Sequence, residues 1–387
     1  MNFTKEETET CSATKGDLLV CEGGAGYGRS AIWDKDYDIC LQNHIHRLRP
    51  YIDGICEYIY YFIYFLKESN QLASVGTAMP GLSANRLKRL LLPLPPYKEQ
   101  KYIVDKLTTI LSLVDSYGDK EKILSQLNVN LPIRLRKSIL QEAIQGKLIP
   151  QDPNDEPTSV LLQHIKEEKQ RLVKEGRLKK KDIVDSIIYK GDDNKYYEQI
   201  GKNLIDITDE IPFEIPNNWV WTRLSNVANI YTGNSISETE KKEKYTNVIG
   251  RYYIGTKDVG FDNNVFYNNG IAIPKKYEQD FRIAPKDSIL MCIEGGSAGR
   301  KIAMLNQDVC FGNKLCCFSP FWGIERYIYY YLQSPSFIDM FNGNKTGIIG
   351  GVSIAKVKKI LIPLPPQPEL ERIVAKIDEF VANIMKR

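Results

Sequence analysis

The chain has only three histidines in 387 residues, and none of its eight cysteines forms a Cys-x-x-Cys pair. That scarcity leaves no basis for a zinc site. No apolar run is long enough to span a bilayer, and the N-terminus lacks the basic-then-apolar order of a signal peptide, so no membrane partner is expected. There is no Gly-Lys-Ser/Thr phosphate loop, no His-Glu-x-x-His and no repeated carboxylate pattern of a nuclease. Excess charge is also small. The 52 Lys and Arg against 48 Asp and Glu leave +4, so a nucleic-acid surface would be a local patch. The remaining composition, 43% apolar and 26% charged, is that of a globular protein with room for two or three domains. Cys21, Cys40, Cys292 and Cys310 are expected as small buried apolar residues in a reducing cytosol.

What the chain does contain is a second copy of much of itself. Pro93-Leu94-Pro95-Pro96 returns as Pro363-Leu364-Pro365-Pro366, a shift of 363 − 93 = 270. Cys40, Asn43 and Ser83 return as Cys310, Asn313 and Ser353 at the same shift. Gly28-Arg29 returns as Gly299-Arg300, and Tyr58-Ile59-Tyr60-Tyr61 as Tyr327-Ile328-Tyr329-Tyr330, each one residue off that register. A repeat of this kind predicts a bipartite molecule.

Five segments follow. Residues 1–92 mix strand-like runs with one helix. Asp17 to Cys21 reads as a strand, Glu22 to Arg29 as a glycine turn, and Tyr58 to Leu66 as an aromatic-rich helix with a packing face. Residues 93–150 form a spacer. The prolines suit a helix's first turn, Glu99 its dipole, and Ile103, Leu107, Ile110, Val114, Leu124, Leu131 and Leu135 an apolar seam. Gly118 and Pro132 weaken that helix and allow a kink or break. Residues 151–211 read as a linker. Its eight basic residues between Lys166 and Lys181 suggest a solvated helix face, with DNA-backbone contact as the sharper alternative, and Asp182 to Asp209 a loose loop. Residues 212–362 form a second globular part, with strands expected at Arg251–Ile254, Val265–Tyr267 and Ser288–Ile293. Residues 363–387 are a shorter helix with Ile373, Ile377 and Phe380 on its seam, the natural antiparallel partner of the first. The fold class expected is α+β: mixed sheets joined by long antiparallel coiled-coil helices, in an internal two-fold repeat.

Two catalytic look-alikes fail on their chemistry. Gly24-Ala25-Gly26-Tyr27-Gly28 resembles a nucleotide-binding loop, yet a strand-like run follows where a helix is required. Leu94-Pro95-Pro96-Tyr97 resembles the base-holding loop of amino-methyltransferases, but leucine cannot accept from an exocyclic amine. No catalytic residue and no metal ligand is assigned.

The proline-led helix starts, with Glu99-Gln100 and Ile103-Val104 in one copy and Glu371 with Ile373-Val374 and Lys376 in the other, resemble the specificity subunit of type I restriction–modification enzymes. So do Leu135 to Leu148 and the entry Ile215-Pro216-Asn217-Asn218-Trp219-Val220-Trp221. The resemblance implies a non-catalytic, cytoplasmic reader of double-stranded DNA with two target-recognition domains. It also implies methyltransferase subunits docked on the helices and a separate restriction subunit, so adenine methylation and DNA cleavage would belong to those partners. S-adenosylmethionine, ATP and Mg2+ would be theirs, with no cofactor bound by this chain.

At the 270 shift, nothing in residues 1–92 matches Trp219 to Tyr267, so the first recognition domain is expected to be a C-terminal half only. This keeps open a rearranged, inactive fragment, or a half-specificity protein acting as a dimer. A fused nuclease–methyltransferase is the enzyme alternative, and the missing motifs argue against it. DNA-contact candidates lie in the polar loops of the second domain: Thr232, Asn234 and Ser235; Arg251 and Lys257; Gly295, Gly296 and Arg300; Asn313; Lys345 and Thr346.

Overall fold

The structure is a computed structural model that describes residues 11–72, 81–179, 186–346 and 350–385. The chain divides into two units, residues 1–127 and 128–387, and the division falls within one helix.

In the first unit the strands are β1 (Ser12–Ala13), β2 (Leu18–Cys21), β3 (Ser30–Ile32), β4 (Ile39–Cys40) and β5 (Ile45–Leu48). β2 is the centre of an antiparallel sheet in the order β3-β2-β5, and β1 pairs with β4. Alternation along β2 buries Leu18 and Val20. Helix α1 (Ile55–Glu68), the expected aromatic helix, lays Cys56 and Ile63 on them, with Leu72 and Leu82 closing the core. The short helix α2 (Ala84–Leu87) leads to the proline segment, where the Tyr58 hydroxyl donates to the Pro93 carbonyl at 2.8 Å.

Helix α3 (Tyr97–Ile144) runs 48 residues straight through Gly118 and Pro132. A proline that lacks only its own N–H bends a helix without ending it when the flanking turns hold. The seam is half-buried at Ile103 and Leu107, whereas Ile110, Val114, Leu124, Leu131 and Leu135 are all exposed.

In the second unit the last turns of α3 bury Leu140, Ala143 and Ile144 in the largest core. Residues 151–211 are not the linker read from their polarity. Helix α4 (Thr158–Lys174) buries Leu161 and Ile165, and β6 (Ser186–Lys190), β7 (Tyr196–Ile200) and β8 (Asn203–Asp206) form an antiparallel meander. Ile188, Tyr196 and Ile207 pack with Trp221 and Leu361, so the meander belongs to the second domain. One buried side chain every few residues was enough to anchor it, too sparse for a hydrophobic pattern to register. Lys166, Arg171 and Lys174 lie on a solvated helix face, with Arg171 paired to Glu168 and Glu175, and Arg177 and Lys179 are exposed beyond the helix; Lys169 departs from that reading, being buried with its ammonium 5.7 Å over the Phe321 ring, and Lys180, Lys181 and residues 182–185 lie outside the described residues.

Next come β9 (Val220–Arg223), the turn α5 (Leu224–Val227), β10 (Ala228–Thr232), β11 (Arg251–Ile254), β12 (Ala272–Ile273), β13 (Ile283–Ala284), β14 (Ile289–Cys292), β15 (Ile302–Met304), β16 (Val309–Phe311) and β17 (Leu315–Pro320). β10-β17-β14-β15 is an antiparallel sheet whose central strand β14 is buried at every residue. β12-β11-β16-β13 is mixed, with β11 parallel to β16. Val265–Tyr267 is not a strand; only an isolated bridge joins Val259 to Val265. Helices α6 (Glu325–Tyr331), α7 (Pro335–Gly343) and α8 (Ile354–Lys359) cover the first sheet. Strand β18 (Leu361–Leu364) takes up the second proline segment and pairs with β9. The final helix α9 (Gln367–Met385) buries Leu370, Ile373 and Ile377 in this core and leaves Phe380 half-buried. Ile373 and Ile377 are therefore internal packing residues of the second domain, not docking residues.

Arg223 locks the meander to the sheet. Its side chain is 10% exposed, and it meets Glu198 at 2.5 Å, Glu210 at 2.7 Å and the Lys359 carbonyl at 2.7 Å. Burial, the largest single effect, pushes the Glu198 carboxyl up, but the hydrogen bonds from Arg223 and Ser186 and the positive charges of Arg223 and Lys359 together outweigh it and hold the group below the usual carboxylate range.

Candidate nucleic-acid interface

Strand direction gathers the polar loops of the second domain at one end. β10 and β14 both run antiparallel to β17, so their C-termini lie beside its start: Thr232 is opposite Cys316, and Cys292 is opposite Leu315. β16 ends at Phe311 and turns directly into β17, and β11, parallel to β16, ends beside it at Ile254. Main-chain hydrogen bonds lace these ends together. Asn234 N–H donates to Phe311 at 2.9 Å, Gly312 to Ile254 at 2.9 Å, Ile293 to Lys314 at 3.1 Å and Val352 to Ile293 at 3.0 Å.

This end carries most of the residues expected to touch DNA, though not in equal roles. Arg300 stands exposed after the Gly295–Ser297 turn, folds back so that its Nε donates to the Gly296 carbonyl at 3.0 Å, and lies 5.4 Å from the centre of the Phe261 ring. Lys257, Asn313, Lys345, Thr346 and Ser235 are exposed there as well. The Lys345 ammonium sits 5.8 Å over the Phe341 ring, and Thr346 bridges to Gly351; residues 347–349 of that loop lie outside the described residues. Thr232 and Asn234 are staples. The Asn234 amide accepts from Arg282 N–H at 2.7 Å and donates to the Asp280 carbonyl at 3.2 Å, while the Thr232 carbonyl accepts from the Arg282 guanidinium at 2.9 Å. Gly233 between them is required, because a Cβ there would lie 1.9 Å from the Phe311 carbonyl oxygen.

Arg251 does not belong to this end. It begins β11, at the far side of the sheet, and is held by Glu278 at 3.1 Å and Asp308 at 3.2 Å. A compensated, three-quarters buried guanidinium is a structural tie, not a phosphate ligand.

Sequence reasoning missed four neighbours. Lys301 shares the Phe261 ring with Arg300, 5.1 Å from its centre, and donates to the Thr256 carbonyl at 3.0 Å. Lys314 and Arg282 are exposed beside Asn313 and Asn234. Phe261 itself is 60% exposed. Its signal was present: a phenylalanine inside the turn run Gly260-Phe261-Asp262-Asn263-Asn264 has no strand or helix face to bury it.

Together Lys257, Arg282, Arg300, Lys301, Lys314 and Lys345 are the basic side chains of these loops, with Glu238, Asp262, Asp280 and Glu294 among the exposed acids beside them. Cations of this kind hold phosphates, and the exposed Asn313, Asn342 and Ser235 carry donors and acceptors suited to base edges. The first unit repeats part of the arrangement. Arg29 follows Gly28 (φ +72°) as Arg300 follows Gly299 (φ +74°), and a Cβ on either glycine would strike the equivalent neighbour, Leu72 or Phe341.

Among the described residues, no helix is long and apolar enough to cross a membrane. The profile of the type I restriction modification DNA specificity domain matches residues 2–126 and 216–387. The specificity subunit of the type I restriction enzyme EcoAI of Escherichia coli is 27% identical over 397 aligned positions, covering 88% of this chain and 62% of that protein. The EcoEI specificity subunit of the same organism is 28% identical over 265 positions, 64% of this chain and 39% of that one. The chain thus spans less than two thirds of the length of either relative. The crystal structure of the HsdS subunit from Thermoanaerobacter tengcongensis shares the fold, with a TM-score of 0.51 and 18% identity over 97% of this chain and 76% of that one. A chain from a study of complex assembly and conformational transition of the type I R-M system aligns with a TM-score of 0.50 at 17% identity, with the same coverage. With both of its halves matched by that profile, the chain belongs to the family of type I restriction–modification DNA specificity domains.

Proposed function

We propose that the chain is the DNA-reading subunit of a type I restriction–modification complex, a recognition protein and not an enzyme. The observation that carries this reading is the convergence of five loops on one sheet end, carrying six basic side chains, two of which, Arg300 and Lys301, lie over the exposed Phe261. In this reading Lys257, Arg300, Lys301, Lys314 and Lys345 hold the backbone of double-stranded DNA, while Asn313, Asn342 and Ser235 face the bases. The exposed seam of α3, from Ile110 to Leu135, receives helices of the methyltransferase subunits. Those partners, with S-adenosylmethionine, methylate adenine. A restriction subunit, with ATP and Mg2+, cuts unmodified DNA. The complex works in the bacterial cytoplasm.

The test is co-expression with a cognate methyltransferase subunit, followed by genome-wide mapping of methylated adenine. A split motif with two defined halves supports a reader in both units. A motif with one defined half, or its palindrome, supports the second domain working alone or as a dimer. A stable complex that leaves adenine unmethylated would sink the proposal.

A further inference from the structure

The arginines of residues 128–387 differ in what holds them. Arg171, Arg177, Arg223, Arg251, Arg326 and Arg372 each meet a carboxylate. Arg282 and Arg300 are held instead by carbonyl oxygens, those of Thr232 and Gly296, and both stand at the loop end of the second domain. Arg136 is of this second kind. Its guanidinium donates to the Gln333 amide oxygen at 2.7 Å, and no carboxylate among the described residues pairs with it. It lies in the last turns of α3, on the helix face that carries the buried Leu140 and Ala143. That face turns toward the domain, and the Arg136 side chain is half-buried there.

The Gln333 amide is a junction. Its oxygen also accepts from Asn263 Nδ2 at 2.6 Å, and its nitrogen donates to the Tyr329 carbonyl at 2.8 Å. Asn263 belongs to the loop of residues 260–264, which is closed by the Gly260 N–H donating to the Asn264 carbonyl at 2.9 Å. Phe261 of that loop lies under Arg300 and Lys301. One turn further along α3, Gln141 Nε2 donates to the Ser336 hydroxyl at 2.8 Å and the Gln141 oxygen accepts from Ser336 N–H at 3.1 Å, which fixes the helix to the start of α7. Arg136 is thus held beside the Phe261 loop by a neutral partner, with its charge uncompensated. The desolvation cost of such a guanidinium is offset when an anion arrives.

We propose that Arg136 is a phosphate-holding residue on the spacer helix, and that Gln333 is the positioning residue that orients it. The ligand is the phosphodiester backbone of double-stranded DNA. One guanidinium N–H stays on Gln333, and the others are free for the paired hydrogen bonds that a guanidinium gives to phosphate oxygens. The DNA contact then extends from the loop end, past Phe261 and Asn263, onto the foot of α3. The inference rests on the DNA-reading function proposed above and adds to it a contact outside the sheet end.

The test is the salt dependence of DNA binding by the full-length chain. The probe is a mixed-sequence duplex of about 40 base pairs, because a phosphate contact is made without regard to sequence. Arg136→Ala should lower the slope of log affinity against log salt by about one, and Arg136→Lys should restore it. Gln333→Ala should keep the slope of the unaltered chain and weaken binding about threefold, since the charge remains and only its order is lost. Arg134→Ala should leave the slope unchanged, because Arg134 is exposed on the opposite side of the helix. An unchanged slope in Arg136→Ala, with Arg300→Ala still lowering it, would overturn this inference alone. Equal losses in Arg134→Ala and Arg136→Ala would also overturn it, as the mark of a diffusely basic helix. An unaltered chain that binds no duplex at low salt would overturn the DNA-reading function along with it.

Discussion

The hydroxyl of Tyr327 donates to the carbonyl of Pro363 at 2.7 Å, and in the first copy the hydroxyl of Tyr58 does the same for Pro93 at 2.8 Å. In both units a helix tyrosine pins the proline segment that leads into the next helix. Tyr327→Phe should cost about 1–3 kcal/mol, because it leaves a buried carbonyl without its donor. Tyr58→Phe should cost less, since Tyr58 is 8% exposed where Tyr327 is 1% and water can partly replace the bond. Urea unfolding followed in both variants checks the order; equal losses would contradict it.

Breaking the Arg223–Glu198 pair should be severe. Arg223→Ala leaves a buried carboxylate uncompensated, at about 3–5 kcal/mol, and should release the β6–β8 meander first, readable as rapid amide exchange across 186–206.

The same pair sets an acid limit. The Glu198 carboxyl is depressed in the folded state, so its stabilisation is complete above the ordinary value of 4.5 and is lost as pH falls through the lower folded value. Urea midpoints measured from about pH 7 to about pH 3 should fall less steeply in Glu198→Gln, at lower overall stability. An identical slope in both proteins would show that the acid response lies elsewhere.

DNA binding should separate the two kinds of arginine. Arg300→Ala, Lys301→Ala and Lys345→Ala should each lower the slope of log affinity against log salt by about one. Arg251→Ala should leave that slope unchanged and reduce stability, because its partners are Glu278 and Asp308. A slope change in Arg251→Ala would return it to the interface.

Gly233→Ala should disturb the interface through the backbone. The added carbon meets the Phe311 carbonyl oxygen at 1.9 Å, so the Thr232–Ser235 loop must move away from β16. A loss of about 2–3 kcal/mol, together with weaker DNA binding, is expected; an unchanged melting point would show that the loop relaxes freely.

Legibility in the sequence followed the strength of local patterns. The buried run Ser288–Ile293 and the aromatic run Tyr58–Leu66 became β14 and α1 almost at the expected bounds. Leu107 to Leu135 became one helix despite Gly118 and Pro132, since neither residue outweighs so many turns of propensity. The 186–206 meander was illegible because its anchors, Ile188, Tyr196 and the Arg223–Glu198 pair, are single contacts made by distant residues. For the candidate interface, loop composition alone pointed to Arg300 and Lys345 as exposed loop residues. It could not reveal that Arg251 is neutralised across the sheet, nor that Lys301 joins Arg300 on one ring, because both depend on strand register.

The separation of anchors from tips has an evolutionary consequence. Ser235, Lys257, Asn313, Lys314 and Lys345 are exposed and lie outside every buried cluster, while Gly233, Gly299 and the Asn234 amide hold the loops that carry them. Drift at the tips therefore carries little folding cost. A lineage that keeps the three anchors can change the chemistry its loop tips present, and with it the DNA they are proposed to contact, by point substitution or loop exchange while inheriting the scaffold whole.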